Sequence, residues 1–158
     1  MKYIFFLLFL LSSMTALAQT SADSPAKNPN YDAKLATKLG GDEYGMKAYY
    51  LVILKTGTNT STDKAFVDDS FKGHMQNINK LVKDGKLVVA GPLGKNDKTY
   101  RGIFIFNNVK DEAELKALLK EDLAIKNELL AYDYFTWYGS AALPEYLPFS
   151  DKIWKSQP

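Results

Sequence analysis

The chain of 158 residues contains no cysteine, one histidine and one arginine. The absence of cysteine excludes disulfides, thiolate nucleophiles and every zinc site that uses thiolate ligands. With His74 as the single histidine, the usual histidine-containing zinc sites are excluded too, and we expect neither a bound metal nor a cofactor. Nucleic-acid-binding proteins usually cluster basic residues and favour arginine. Here the lysines alternate with acids and Arg101 stands alone, so we expect no nucleic-acid partner.

The amino-terminal segment has the three parts of a secretory signal. Lys2 supplies a positive start, Tyr3 to Leu11 is an unbroken apolar run, and Ala16-Leu17-Ala18 is a small-residue cleavage site. An uncleaved membrane anchor is the alternative, but a spanning helix needs about 20 apolar residues, and this run is shorter and is followed by serines. We therefore predict a signal peptide over residues 1–18. The mature protein would be periplasmic or secreted and would not associate with a membrane after cleavage.

The remaining residues, roughly 140 of them, suit a single domain. Residues 19–45 are predicted to be a flexible leader with a short helix at Tyr31–Leu39, which Gly40-Gly41 would end. Residues 46–140 are predicted to form the domain. Residues 141–158 are predicted to be a C-terminal tail with several apolar side chains available to pack.

Within the domain, four segments are rich in β-branched and aromatic residues and two have helical periodicity. The predicted strands are Lys47–Lys55, Lys86–Ala90, Thr99–Phe106 and Leu130–Tyr138, and the predicted helices are Thr62–Lys83 and Lys110–Lys120. This order is the β-α-β-β-α-β arrangement of ferredoxin-like α+β domains. Two helices cover only one face of such a sheet, yet two of the strands are apolar on both sides. The leader helix, the tail or another subunit must cover the second face, and we favour a second copy in a homodimer.

The single histidine lies in the middle of the first long helix. His74 shares a helix face with Phe71, Ile78 and Leu81, at a spacing that follows 3.6 residues per turn. Its imidazole is therefore predicted to point towards the sheet or towards a cleft beside it. Two interpretations remain open. One is a hydrogen-bonded core histidine, and the other is a general base or acid, a role for which the ordinary histidine pKa of about 6.5 is suited.

Three further places could contribute to a site. Asp122 is predicted to end the second long helix, where a carboxylate is disfavoured by the helix dipole unless it turns inward and orients an imidazole. Gly91 and Pro92 predict either a tight turn or a plain strand terminator. Arg101 could anchor an anionic substrate, or it could be an exposed strand residue.

The last predicted strand is rich in aromatic residues, namely Tyr132, Tyr134 and Trp137. Such residues could line an apolar pocket. Aromatic side chains in strands more often belong to the core, and we take that as the stronger interpretation.

Three of these features together resemble the YCII-related (YciI-like) family: His74, the segment DGKLVVAGPLG at Asp84–Gly94, and the acidic residue after the second long helix. The resemblance covers about residues 46–138. Its most specific parts are the helix histidine and the G-x-L-x-x-A-G-P segment Gly85–Pro92. It implies a dimeric α+β barrel made of two ferredoxin-like units, with an active site that contains a histidine and an aspartate, here His74 and Asp122.

The chain departs from the family pattern at two positions. Leu123 stands where the family usually has proline, and Glu128 stands near a usual glycine. Either change could alter the turn that aims Asp122. The resemblance also implies chemistry similar to that of a lyase that removes hydrogen chloride from a chlorinated aromatic.

Two functions follow as hypotheses. In the first, the protein is a cofactor-independent enzyme in which His74 is the general base, Asp122 orients it, and Gly91, Pro92 and Arg101 contact the substrate. Proton abstraction from a small cyclic or aromatic substrate, in a lyase- or isomerase-like reaction, is the most economical chemistry for one histidine and one aspartate. In the second, the protein is a non-catalytic dimeric module that binds a small-molecule ligand or a partner in the same cleft.

Overall fold

The computed structural model describes residues 28–150 and 152–155. The predicted signal peptide and the first part of the predicted leader lie outside these residues. The elements all fall in the unit that begins at Asp32. In chain order they are α1 Ala33–Leu39, β1 Met46–Thr56, α2 Lys64–Lys83, β2 Leu87–Pro92, β3 Tyr100–Phe106, α3 Glu112–Lys120, α4 Leu123–Lys126, β4 Leu130–Ser140, a 3₁₀ turn at Leu143–Tyr146, and α5 Leu147–Ser150. Within the described residues, no helix is both long and apolar enough to cross a membrane.

Aspartates begin the first three helices. The carboxylates of Asp32, Asp63 and Asp111 accept hydrogen bonds from backbone N–H groups in the first turns of α1, α2 and α3. Each carboxylate pairs with donors that the helix itself cannot satisfy, and such a cap typically stabilises a protein by about 1 kcal/mol. The predicted end of α1 at Gly40 is confirmed, because that residue adopts the left-handed conformation with φ of 72°.

The four strands form one antiparallel sheet in the order β2-β3-β1-β4. β1 and β4 pair along their whole lengths, from Met46 opposite Ser140 to Thr56 opposite Leu130. β3 pairs with the other edge of β1, and β2 pairs with β3. Helices and an antiparallel sheet therefore share one domain, so the fold is α+β.

One face of the sheet packs against helices and holds the main core. Its buried side chains come from the strands and from α2 and α3, and they include Val52, Leu54, Leu81, Leu87, Phe104, Phe106, Leu115 and Leu119. Burying one side chain of this size contributes about 1.5–3 kcal/mol. This face is therefore the main source of the stability of the domain.

The second face of the sheet has a smaller core. Tyr49, Val88 and Ile105 are buried there, and Leu143 and Leu147 of the C-terminal tail pack against them. Phe135, on the same face, remains 53% exposed. The tail thus provides part of the second cover that the two-sided strands require.

β2 extends further than its sequence suggests. The prediction that Gly91 and Pro92 form a turn is wrong, because they pair with Ile103 and Gly102 of β3. The strand does end at Pro92, two residues beyond the predicted end at Ala90. β2 is an edge strand, and an edge position tolerates proline, which has no backbone N–H to donate to a neighbour.

Candidate active site

His74 lies in the middle of α2, on the side that faces the sheet. Its imidazole stacks on the ring of Phe104, with 5.7 Å between the ring centroids and 23° between the planes. Phe71 contacts it edge-on at a centroid distance of 6.0 Å. Only 12% of the His74 side chain is exposed. The two aromatic neighbours therefore hold the plane of the imidazole in one orientation.

Asp122 is the hydrogen-bond partner of this imidazole. Its side chain is fully buried, and its Oδ2 lies 2.6 Å from His74 Nδ1. Its Oδ1 accepts hydrogen bonds from the backbone N–H groups of Ala124 at 2.9 Å and Ile125 at 3.3 Å. Both carboxylate oxygens are therefore satisfied, as a buried carboxylate requires.

The contact with Asp122 decides which imidazole nitrogen is free. Because a carboxylate only accepts hydrogen bonds, Nδ1 carries a proton in this pair, and a neutral ring then has its lone pair on Nε2. Among the described residues, Nε2 has no hydrogen-bond partner, and the ring lines a cavity. Such a ring can take a proton at Nε2 while Asp122 stabilises the resulting imidazolium.

The predicted location of Asp122 at the end of the second long helix is wrong. α3 ends at Lys120 with Glu121 as its C-cap, and Asp122 is the N-cap of the short helix α4 that follows. A carboxylate is favoured at a helix start, where unpaired N–H groups point towards it, so the expected electrostatic cost does not arise. Sequence reasoning missed α4 because four residues are too few to show helical periodicity.

α4 approaches α2 closely because α2 has a glycine at the contact. A Cβ added at Gly73 would lie only 2.3–2.9 Å from three carbon atoms of the Leu123 side chain. The same two helices are joined by a hydrogen bond from Asn127 Nδ2 to Ser70 Oγ at 2.8 Å. Gly73 and Leu123 are the chain neighbours of His74 and Asp122, so their close contact holds the pair together.

Glu128, the second position that departs from the pattern of the family the chain resembles, lies in the turn after α4. Glu128 has a φ of 59°, in the left-handed region that favours glycine. Its Oε2 accepts a hydrogen bond from Thr58 Oγ1 at 2.9 Å, and its backbone carbonyl accepts one from the N–H of Asn59 at 3.0 Å. These bonds hold the turn after α4, so both departures are compatible with the contact between His74 and Asp122.

A cavity of about 780 Å³ opens beside His74. Gly91, Pro92 and Arg101, the residues predicted to contact a substrate, all line it together with the imidazole. Its size lies within the range of about 300–1,000 Å³ that is typical of small-molecule sites. The structure therefore brings the predicted residues to one cavity, and their contacts with a substrate stay predictions.

The C-terminal tail forms another part of the cavity wall. Tyr146, Leu147, Ser150 and Trp154 line the cavity together with residues of α2 and the sheet. The Tyr146 hydroxyl donates a hydrogen bond to the backbone carbonyl of Val88 in β2. Partial burial raises the pKa of this hydroxyl above its ordinary value of 10.0, which keeps it a donor at neutral pH. Sequence reasoning noted only that the tail has apolar side chains, which gave no indication of where they pack.

The aromatic residues of β4 do not line this cavity. Tyr132 and Tyr134 pack against the main core, and Trp137 contacts Tyr49 with 5.4 Å between the ring centroids. The core interpretation of these three residues is therefore confirmed, and the pocket interpretation is wrong.

One basic residue in the wall was also missed. Lys83, the last residue of α2, lines the cavity. A lysine at that position is explained by the helix dipole alone, so no sequence signal singled it out. Within residues 28–150 and 152–155, no group of three or more histidine or acidic side chains could hold a metal ion.

Comparisons with known proteins give a partial similarity among solved structures. No protein-family model matches the chain, and no curated protein matches it. Among solved structures, it is similar to 5-chloro-2-hydroxyhydroquinone dehydrochlorinase (TftG) from Burkholderia phenoliruptrix AC1100, in complex with 2,5-dihydroxybenzoquinone. The two share 21% sequence identity, and the match covers 56% of this chain and 92% of that chain with a TM-score of 0.41.

Proposed function

We propose that the protein is a small enzyme in which His74 acts as a general base on a small cyclic or aromatic substrate. The observation that carries this proposal is the contact of 2.6 Å between His74 Nδ1 and Asp122 Oδ2 at the side of a cavity. A general base needs a free lone pair within reach of the substrate and a partner that stabilises the charge it gains. Nε2 supplies the lone pair and the buried carboxylate of Asp122 supplies the partner.

The reaction that suits these groups is abstraction of a proton from carbon, as in a lyase or an isomerase. Nε2 takes the proton, and the electron pair left behind forms a new double bond. In a lyase that pair expels a leaving group, and in an isomerase it shifts a double bond before the imidazolium returns the proton. Gly91, Pro92 and Arg101 would contact the substrate, and no step needs a cofactor.

A generic substrate tests this proposal without knowledge of the natural one. When a base removes the carbon-bound ring proton of 5-nitrobenzisoxazole, the N–O bond breaks and a coloured cyanonitrophenolate is released. We expect the protein to release it about 10²–10⁴ times faster than His74→Gln. Lys72→Gln is the matched control, because Lys72 is an exposed residue of the same helix and does not line the cavity.

Asp122→Asn is the more informative variant. Asparagine is also a good N-cap, so α4 keeps its first hydrogen bonds. Its amide can donate to Nδ1, which would move the ring proton to Nε2 and remove the lone pair from the cavity. We expect a slower reaction with little loss of stability. Equal rates for the protein and folded His74→Gln would contradict a role for His74 as the base.

The alternative function is a non-catalytic module that binds a small-molecule ligand. The large cavity, with exposed aromatic residues of the tail in its wall, supports this alternative. In that case His74→Gln would keep its ligand affinity, and neither form would accelerate the elimination reaction.

We also propose that the chain is a YCII-related protein with a ferredoxin-like fold and that it forms a homodimer. The strand order β2-β3-β1-β4, with helices on one face, supports the fold. Phe135 is exposed on the other face, and Leu51, its partner in β1, is only half-buried, which supports a dimer through this face. We expect Phe135→Asp to convert a dimer to a monomer in sedimentation, and a monomeric wild type would contradict the dimer.

Export is the remaining proposal, and it rests on the signal pattern of residues 1–18. Expression of the full chain should yield a processed protein that begins at Gln19, which mass spectrometry of the periplasmic or secreted fraction would detect. An unprocessed chain retained with the membrane would contradict cleavage.

A further inference from the structure

The charged side chains that line the cavity, among the described residues, are all basic. Lys83 and Arg101 both line it, and none of the described residues that line it is acidic. Neither side chain forms an ion pair with a carboxylate of the described residues, whereas other lysines, such as Lys55 and Lys86, do. Asp122 does not line the cavity: it is fully buried, and its carboxylate is hydrogen-bonded to the imidazole and to two backbone N–H groups. A cavity with cations and no acids in its wall attracts anions.

The two cations lie near opposite ends of β2. Lys83 follows His74 by roughly 13 Å along the axis of α2, at about 1.5 Å per residue. Arg101 precedes Phe104, on which the imidazole stacks, by roughly 10 Å along β3. The chain passes from Lys83 into β2, whose first residue pairs with Phe106 and whose last residue pairs with Gly102 beside Arg101. An anion in the cavity is therefore attracted from both ends.

Between the two cations the wall is apolar and partly aromatic. Ile78 and Val82 of α2 face the cavity, and Tyr146 and Trp154 of the tail line it while remaining 44% and 47% exposed. Exposed aromatic rings at a cavity offer a flat apolar surface to a planar ligand.

We propose that the cavity binds an organic anion with a planar apolar body, such as an aromatic carboxylate, sulfonate or phenolate. Lys83 and Arg101 attract its charge, and the rings of Tyr146 and Trp154 contact its body. This inference names the ligand class for the site of the proposed function, and it rests on that function only in sharing the cavity. Binding of an anion needs no proton transfer, so the two can be tested separately.

A matched pair of fluorescent dyes tests the ligand class. Anilinonaphthalene sulfonate and N-phenylnaphthylamine have the same aromatic body, and only the first has a negative charge. Both become fluorescent in apolar sites, so the Kd of each can be measured by titration into the folded protein. We expect one site with a Kd about tenfold lower for the sulfonate, since charge-assisted contacts are the stronger ones.

Removing the two cations should abolish the preference for the sulfonate. We expect the double variant Lys83→Gln and Arg101→Gln to bind the sulfonate about tenfold more weakly and the neutral dye equally well. The control carries Lys72→Gln and Lys120→Gln, which removes the same charge from exposed residues that do not line the cavity. Equal affinity for the two dyes in the wild type, or the same loss in the control, would overturn the proposal.

His74→Gln separates the two proposals. We expect this variant to keep the preference for the sulfonate and to lose the elimination activity. A retained preference with no elimination activity in the wild type would support the ligand class and contradict the base. Elimination activity that depends on His74, without any preference for the sulfonate, would support the base and contradict the ligand class.

Discussion

The two walls of the cavity are built in different ways. The inner wall consists of α2, β2 and β3, and it includes Phe104, which is 2% exposed, and the mostly buried His74. The outer wall consists of the tail residues Tyr146, Leu147, Ser150 and Trp154, and both of its aromatic residues are more than two-fifths exposed. The hydrogen bond from Tyr146 to the Val88 carbonyl attaches this wall to the sheet.

This difference suits the two walls to different tasks: the inner wall positions the base, and the outer wall selects the ligand. A base must stay within a fraction of an ångström of its working position, which a packed core can guarantee. A surface that selects a ligand can be more loosely attached, because small adjustments improve its fit. We therefore expect changes in the inner wall to alter stability and activity together, and changes in the outer wall to alter ligand binding alone.

The largest expected effect is a difference between the two walls in their contribution to the free energy of unfolding. Phe104→Ala should lower the free energy of unfolding by about 3–5 kcal/mol, because it leaves a cavity beneath the imidazole. Trp154→Ala should lower it by less than about 1 kcal/mol, because a half-exposed ring loses few contacts. Urea denaturation followed by circular dichroism measures both values. A similar loss in the two variants would show that the outer wall is as firmly packed as the inner one.

The next effect concerns the contact between α2 and α4. Gly73→Ala should destabilise the protein by about 1–3 kcal/mol, because the new methyl group overlaps Leu123 and pushes α4 away. It should also slow elimination from 5-nitrobenzisoxazole, since Asp122 moves with α4. Gly94→Ala is the control, as an added Cβ there has no heavy atom within 4 Å and Gly94 does not line the cavity. If Gly73→Ala keeps both stability and rate, the glycine does not position the pair.

A smaller effect is expected in the outer wall. Tyr146→Phe removes the hydrogen bond to the Val88 carbonyl but keeps the aromatic ring. We expect a loss of about 0.5–1.5 kcal/mol, measured by urea denaturation, and no change in the elimination rate. A slower reaction in Tyr146→Phe would mean that the tail also positions the base.

The smallest effect is a dependence on alkaline pH. Burial raises the pKa of Tyr146 above 10.0 in the folded protein, so its contribution to stability is complete below pH 10 and is lost as pH rises through the folded pKa. In a Trp137→Phe background, where Trp154 is the only tryptophan, its fluorescence should report loosening of the tail at high pH. The same titration of Tyr146→Phe should lack this step, and an identical step in both would exclude Tyr146 as its cause.

Local signals in the sequence predicted most of the fold. The periodicity of α2 and the composition of the four strands are strong because these elements are long and mostly half-buried. The extension of β2 through Pro92 could not be predicted, because it depends on β2 being an edge strand. The position of the tail depends on which surface is left uncovered after the sheet and helices assemble. No local pattern encodes that surface.

Some residues of the candidate site could be predicted from the sequence, and others could not. The direction of His74 follows from its spacing to Phe71 and Ile78. Asp122 was singled out for a charge that appeared misplaced and for the family resemblance, yet it caps a helix that is too short to recognise. Lys83 escaped notice because its position at a helix end has a sufficient local explanation. Contacts between distant elements, rather than local preference, decide the roles of Asp122 and Lys83.

The contact between Gly73 and Leu123 has a consequence for how the sequence can drift over time. The two positions share one small volume, so neither can be exchanged for a larger residue independently of the other. Homologous chains that carry alanine at position 73 should carry a smaller side chain than leucine at position 123. Because these two positions adjoin His74 and Asp122, a change at one of them must be matched at the other if the histidine and the aspartate are to keep their contact.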